Sequence, residues 1–171
     1  DLTGYSQLSF DPTLDLKVTL DHFHGIEIDE WPARIAETAM FLVDRQCDLR
    51  LKERFGEAPQ RLPIQRQARI VVGNALRLPW APILEPNPNV IIAGNPPFLG
   101  KEQRSAAQTE DMRAAWGTSY SGEADFVTSW FARAADYFGE VRGRWAFVAT
   151  NSVCQGVVVA PVFGYLADRG W

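Results

Sequence analysis

Cysteine and histidine are scarce in this chain, whose 171 residues include only two of each. Cys47 and Cys154 are far apart and form neither a Cys-x-x-Cys pair nor the Cys/His spacing of a zinc site. This excludes the common metal-binding motifs, and the sequence predicts no metal centre. We expect both thiols to be ordinary buried side chains rather than a disulfide.

Long apolar runs and a surplus of positive charge are also missing. No run approaches the roughly 20 apolar residues that a membrane-spanning helix needs, and no leader of the secretory type begins the sequence. We therefore expect a cytoplasmic protein with no membrane partner. The net charge of −4 is unlike that of a nucleic-acid-binding surface. If DNA is a partner, most phosphate contacts must come from elsewhere.

The chain does contain apolar segments that alternate between strand and helix patterns. Its composition, 46% hydrophobic and 22% charged, suits one globular domain with a sizeable core. Alternating strands and helices predict an α/β fold with a parallel sheet and right-handed crossovers. The predicted strands are 14–20, 23–29, 68–73, 90–93 and 145–149, and the predicted helices are 31–46, 105–116, 126–138 and 157–168.

The strand at residues 90–93 ends on a conspicuous polar and aromatic stretch, Asn95-Pro96-Pro97-Phe98. The prolines cannot donate to a strand ladder, so the strand must end there. Asn95 and Phe98 then lie just past the carboxyl end of a buried strand, where ligands bind in open α/β sheets. The simpler alternative is a Pro-Pro turn in which Asn95 is only a turn residue.

Asn95-Pro96-Pro97-Phe98 resembles motif IV of the amino-methyltransferases. The resemblance implies methyl transfer from S-adenosylmethionine to an exocyclic amine, most often N6 of adenine in DNA. It further implies that the Asn95 side-chain oxygen and the Pro96 carbonyl accept the N–H bonds of that amine. Neither proline offers a competing N–H group. Phe98 would stack on a base flipped out of the double helix.

A second stretch, Phe23 to Asp29, resembles motif II of the same family. By this resemblance Glu27 binds the ribose hydroxyls of the cofactor, and Ile28 packs on its adenine. Asp29 is better interpreted as the N-cap of the helix that follows.

A third stretch, Ala68 to Gly73 followed by Asn74 and Ala75, resembles motif III. These last two residues then contribute to cofactor binding, and the Asn74 side-chain oxygen accepts the amino group of the cofactor's adenine. The wider family usually has Asp at this position, and an amide oxygen can make the same bond.

The resemblance extends to the strand at residues 145–149, whose end resembles motif VI. Asn151 either lines the base pocket or belongs to a plain turn. The implied fold is a Rossmann-like class I methyltransferase, with a mostly parallel sheet and helices on both faces. We expect residues 1–21 to be a lead-in segment and residues 22–171 to be a partial catalytic domain with motifs II to VI.

Two further elements of the family have no counterpart in the sequence, namely the Gly-rich turn of motif I and the final β-hairpin. We therefore expect an internal part of a large bacterial restriction-modification or stand-alone modification enzyme. By the resemblance, the family's first strand, which carries motif I, would lie between the strands that end at Glu27 and Asn95. The gap that its absence leaves should be filled by residues 14–20, by self-association or by closure of these two strands. The 171 residues alone should bind the cofactor weakly and be inactive.

The implied enzyme is a site-specific, adenine-specific DNA methyltransferase that acts on double-stranded DNA by direct displacement. No Pro-Cys pair occurs, which argues against the cytosine-C5 class. Two alternatives remain open: a protein-glutamine N-methyltransferase, and a non-catalytic scaffold or specificity subunit.

Overall fold

The computed structural model describes residues 16–56, 58 and 66–171. The chain divides into two compact units, Asp1–Gly73 and Asn74–Trp171. Within the described residues each unit contains one two-stranded parallel sheet. The fold is mixed α/β with parallel strands, as the alternating pattern predicts. Of the lead-in expected over residues 1–21, residues 1–15 lie outside the described residues.

The first unit is built from two parallel strands and one long helix. Strand β1 spans His24–Glu27, helix α1 spans Glu30–Phe55 and strand β2 spans Arg69–Val72. The two strands pair in register from His24 opposite Arg69 to Glu27 opposite Val72. Because parallel strands cannot be joined by a tight turn, the intervening helix forms the crossover.

Helix α1 is longer than the predicted 31–46. Residues 47–55 contain neither glycine nor proline, so nothing in them interrupts the helix. It ends at Gly56, whose left-handed φ of 84° lets its N–H bond the Lys52 carbonyl. Asp29 occupies the N-cap position, as expected, although its side chain makes no capping hydrogen bond.

The prediction of a strand over residues 14–20 is wrong for residues 16–20, and residues 14 and 15 lie outside the described part. Leu20–His22 form a 3₁₀ turn, closed by a bond of 3.0 Å from the His22 N–H to the Thr19 carbonyl. The Thr19 hydroxyl donates to Asp21 at 2.6 Å and accepts from Arg66 at 2.8 Å. These local side-chain bonds compete with a strand ladder.

The second unit holds the remaining strands and helices. They are β3 at Ile91–Gly94, α2 at Ala106–Trp116, α3 at Thr128–Phe138, β4 at Arg144–Phe147 and α4 at Val159–Asp168. Strands β3 and β4 pair in parallel, from Ile91 opposite Arg144 to Gly94 opposite Phe147. The predicted strands and helices of this unit are confirmed, with boundaries that shift by a few residues.

Local sequence signals explain where these helices begin and end. A capping box precedes α2: the Ser105 N–H donates to Gln108 Oε1 at 2.9 Å, and the Gln108 N–H donates to Ser105 Oγ at 3.2 Å. Helix α3 ends at Gly139, which has a positive φ of 50°. Pro161 lies in the first turn of α4, where its missing N–H costs little.

Helix α3 has more buried residues than either of the other α-helices in the second unit. Phe131 and Phe138 are buried, and the Phe131 ring stacks on Phe147 of β4 with centroids 5.9 Å apart. Trp130 packs edge-on against Phe126 at 5.3 Å. The aromatic side chains of α3 are therefore core residues, as their helical spacing predicts.

The two cysteines are free, and the expectation that they are buried is wrong, because both are exposed. In α1 the helical phase turns the neighbouring Asp48 inward instead of Cys47. Among the helices that the structure describes, none combines the length and apolar character needed to cross a membrane.

Candidate functional site

The predicted motif IV begins directly after β3, at the end of its ladder with β4. The Val148 N–H bonds the Gly94 carbonyl at 3.0 Å and closes the ladder. A Cβ atom at Gly94 would lie 3.3 Å from the Phe147 ring, so glycine lets the two strands approach closely here. Asn95 is the next residue, which places it at the carboxyl end of the strand, as predicted.

Within Asn95-Pro96-Pro97-Phe98, the side-chain oxygen of Asn95 and the carbonyl of Pro96 accept no hydrogen bond from the part of the chain that the structure describes. The exposed Asn95 side chain makes no hydrogen bond to the described residues. Pro96 is buried, yet its carbonyl accepts no backbone hydrogen bond within the same set. Pro97 is exposed, and the Phe98 ring is 40% exposed. Two acceptors and one aromatic surface are thus available to a ligand.

The end of this stretch is fixed to the start of helix α3 through Leu99. Its N–H donates to Asp125 Oδ1 at 3.2 Å, and its carbonyl accepts the Phe126 N–H at 3.0 Å. The same Asp125 oxygen accepts the Val127 N–H at 3.1 Å. Nothing in the sequence indicates the bond between Asp125 and Leu99, because the two residues are 26 positions apart.

The loop after the motif is held by a charged side chain that the sequence analysis missed. Arg104 donates to the carbonyls of Ala124 at 2.9 Å and Gly122 at 2.7 Å. Lys101 forms an ion pair with Glu123, and this hydrogen bond and charge raise the pKa of the Lys101 ammonium. These contacts join the loop at residues 99–104 to the loop at residues 118–124.

Asn151 follows β4 and lies at the same end of the sheet as Asn95. It is exposed and begins the 3₁₀ turn Asn151–Cys154. The turn also contains a 2.6 Å contact between the Thr150 and Ser152 hydroxyls. The plain turn that we considered is present, and its Asn151 side chain faces solvent.

Asn74, two residues after β2, forms part of a hydrogen-bond network in the second unit. Its Oδ1 accepts the Leu76 N–H at 2.9 Å, and its Nδ2 donates to Asp111 Oδ2 at 2.8 Å. Asp111 Oδ1 accepts Arg77 Nε at 2.6 Å. An amide oxygen has two lone pairs, so Asn74 Oδ1 can accept one more bond. The Ala75 N–H donates to no described backbone carbonyl.

Glu27 and Ile28 lie in the first unit, at the carboxyl end of β1. Glu27 is half-buried, and its Oε1 accepts the Ile28 N–H at 2.8 Å. A carboxylate offers about four lone pairs, so it can still accept bonds from a diol. The Ile28 side chain is 62% exposed and presents an apolar surface beside the carboxylate. The end of β1 thus presents a carboxylate acceptor next to an exposed apolar side chain.

The described residues contain no group of three or more His, Cys, Asp or Glu side chains arranged to hold a metal ion. The structure places Asn95 to Phe98 and Asn151 at the same end of one sheet. Asn74 and Ala75 lie in one turn, and Glu27 and Ile28 lie at the end of one strand.

Comparison with known proteins finds a matching family and individual relatives. A family model described as "MmeI, DNA-methyltransferase domain" matches residues 5–171. DNA methyltransferase A of Bacillus subtilis (strain 168) is 31% identical over 157 residues, which cover 90% of this chain and 18% of that protein. The structure of the type IIL restriction-modification enzyme MmeI in complex with DNA has a TM-score of 0.84 and 34% identity, covering 96% of this chain and 22% of that one. This chain spans about a fifth of the length of both relatives.

Proposed function

The chain belongs to the MmeI DNA-methyltransferase domain family, and on this premise we propose that it transfers a methyl group from S-adenosylmethionine to N6 of adenine in double-stranded DNA. The observation that carries the proposal is the pair of acceptors at Asn95 and Pro96, at the carboxyl end of β3, which accept no hydrogen bond from the residues that the structure describes. The relatives' printed names support DNA as the substrate and a restriction-modification system as the setting.

The residues that would hold the cofactor are Glu27, Ile28, Asn74 and Ala75. Glu27 has lone pairs for the ribose hydroxyls, and the exposed Ile28 offers apolar surface to the adenine ring. Asn74 Oδ1 keeps a lone pair for the amino group of that adenine, and the Ala75 N–H can donate to a ring nitrogen. These residues follow parallel strands, as in a Rossmann-like class I methyltransferase sheet.

S-adenosylmethionine supplies an electrophilic methyl carbon, and the protein must make a poor nucleophile reactive toward it. The lone pair of an exocyclic amine is delocalised into the base. Asn95 Oδ1 and the Pro96 carbonyl accept the two N–H bonds of N6, which favours a pyramidal nitrogen with a localised lone pair. Both carbonyl dipoles also stabilise the positive charge that develops on N6.

The remaining residues of the motif position the flipped base. The half-exposed Phe98 ring offers a face on which adenine can stack, a contact worth about 1–3 kcal/mol per base. The bonds from Leu99 to Asp125 and Phe126 fix the end of the motif before the base arrives. Such preorganisation contributes to rate through orientation.

The test is methyl transfer from labelled S-adenosylmethionine to DNA by protein expressed from its full natural gene. We expect Asn95→Ala to lower kcat by at least about 100-fold, because a transition-state hydrogen bond is lost. Asn89→Ala is the matched control, since Asn89 is equally exposed but precedes β3. Near-normal turnover by Asn95→Ala, or an equal loss in the control, would refute the assignment.

A further inference from the structure

We propose that Asp111 is a positioning residue for cofactor recognition: it holds the Asn74 amide so that Oδ1 is the atom presented to the amino group of the cofactor's adenine. This inference rests on the proposed function and assigns a role to a side chain on helix α2. Asp111 lies 37 positions from Asn74 in the sequence, and its contact with Asn74 is visible only in the fold.

The network leaves the amide one orientation. The Leu76 N–H can only donate, so the atom that it contacts at 2.9 Å must be the Asn74 oxygen. The Asp111 carboxylate accepts hydrogen bonds, so the atom that it contacts at 2.8 Å must be the Asn74 nitrogen. Turning the amide by 180° would place the Asn74 nitrogen, a donor, against the Leu76 N–H. It would also place the Asn74 oxygen, an acceptor, against the Asp111 carboxylate.

Arg77 completes the network by holding the Asp111 carboxylate in place. Its Nε donates to Asp111 Oδ1 at 2.6 Å, while Oδ2 remains directed to Asn74. The Asp111 side chain is only 16% exposed, so these bonds lie in a partly desolvated environment where charged hydrogen bonds are strengthened. Each carboxylate oxygen therefore has its own donor.

The same network explains why residue 74 is an amide in this chain. A carboxylate at that position would face Asp111 at hydrogen-bond distance, and two like charges would repel. An amide supplies both the donor that Asp111 needs and the acceptor that adenine needs. Residues 74 and 111 thus form a matched pair, and exchanging their chemical types should preserve the contact.

Two ligands test this on the full-length protein: S-adenosylhomocysteine, and S-inosylhomocysteine, in which an oxygen replaces the amino group. Isothermal titration calorimetry gives the dissociation constant of each. We expect the wild type to prefer the adenosyl ligand. Asp111→Ala should weaken adenosyl binding roughly tenfold or more, the range of a charged hydrogen bond, and should weaken inosyl binding much less, because the released amide can turn its donor toward the oxygen.

A second experiment exchanges the residue types at positions 74 and 111. Asn74→Asp alone should weaken adenosyl binding, and Asn74→Asp combined with Asp111→Asn should restore it to within a few-fold. Glu110→Ala is the matched control, because Glu110 is an exposed acid on the same helix that pairs with Arg113. In methylation assays, Asp111→Ala should raise KM for S-adenosylmethionine and leave kcat near the wild-type value.

Three results would overturn the inference alone, and a fourth would overturn the proposed function with it. An equal loss for both ligands in Asp111→Ala would mean that Asp111 only supports the fold, and failure of the double exchange would show that the pair is not matched. A wild type that binds neither ligand would instead overturn the proposed function and this inference together. If the wild type prefers the adenosyl ligand and Asp111→Ala leaves the ratio of the two dissociation constants unchanged, only the role of Asp111 would be refuted.

Discussion

Single residues in this chain differ in how far the fold has already used their polar atoms. Asn95 has no partner among the described residues, whereas both polar atoms of the Asn74 amide are engaged. Free acceptors suit a substrate that enters and leaves during each turnover. An amide fixed in one orientation suits recognition of a single functional group, since the cost of ordering it is met in folding.

The carboxylate at the end of β1 gives the first prediction at this scale. Glu27→Ala should weaken S-adenosylmethionine binding by about 2 kcal/mol, because hydrogen bonds to a charged group are lost. Calorimetry on the full-length protein measures this. Glu30→Ala is the control, since Glu30 is exposed and pairs only weakly with Arg34 at 3.6 Å. An unchanged affinity in Glu27→Ala would move the ribose contact elsewhere.

Among the structural elements, the strands of each unit end together, and the proposed site residues lie at these ends or just after them. The loop after β3 is held by the turn before helix α3, in which one Asp125 oxygen accepts two backbone N–H bonds. Rigid elements therefore fix the position of a loop whose own polar groups stay free.

Removal of this acceptor tests how much the anchor matters. Asp125→Ala should destabilise the domain by about 1–3 kcal/mol, because two partly buried N–H groups lose their partner. It should also lower kcat, because the motif is displaced. Asp125→Asn keeps an acceptor oxygen and should lose less in both respects. Thermal unfolding and methyl-transfer rates provide the two readouts. Equal effects of the two substitutions would show that the charge, and not the anchor, is what matters.

Sequence patterns predict the elements of this fold where the signal is local. The prolines after β3 and the Ser105–Gln108 capping box mark boundaries that the structure contains. The alternating pattern of residues 14–20 predicted a strand that residues 16–20 do not form, because Thr19 and Asp21 bond locally in a turn. Asp111 was not predictable at all, since its role depends on a contact between residues far apart in sequence.

At the scale of the whole molecule, the second unit closes its core around the α3 aromatics. Gly143 connects α3 to β4, and a Cβ atom placed there would overlap the buried ring of Phe138. A glycine is required at this point by space, because the ring lies directly against the backbone.

Gly143→Ala should therefore destabilise the domain by about 1–3 kcal/mol or more, the usual cost of overpacking a core. Gly100→Ala is the matched control, because no atom lies within 4 Å of a Cβ built there. The shift of the thermal unfolding transition measures both. Similar transitions for the two variants would contradict the packing described around Phe138.

In the proposed function, Asn95 and its neighbours direct methylation to N6 of adenine. Mass spectrometry of nucleosides tests it directly, in DNA from methylation-deficient cells that express the full natural gene. We predict N6-methyladenine in cells with the wild-type gene and none above background with Asn95→Ala. Absence of N6-methyladenine with the wild type, or an undiminished level with Asn95→Ala, would contradict the account.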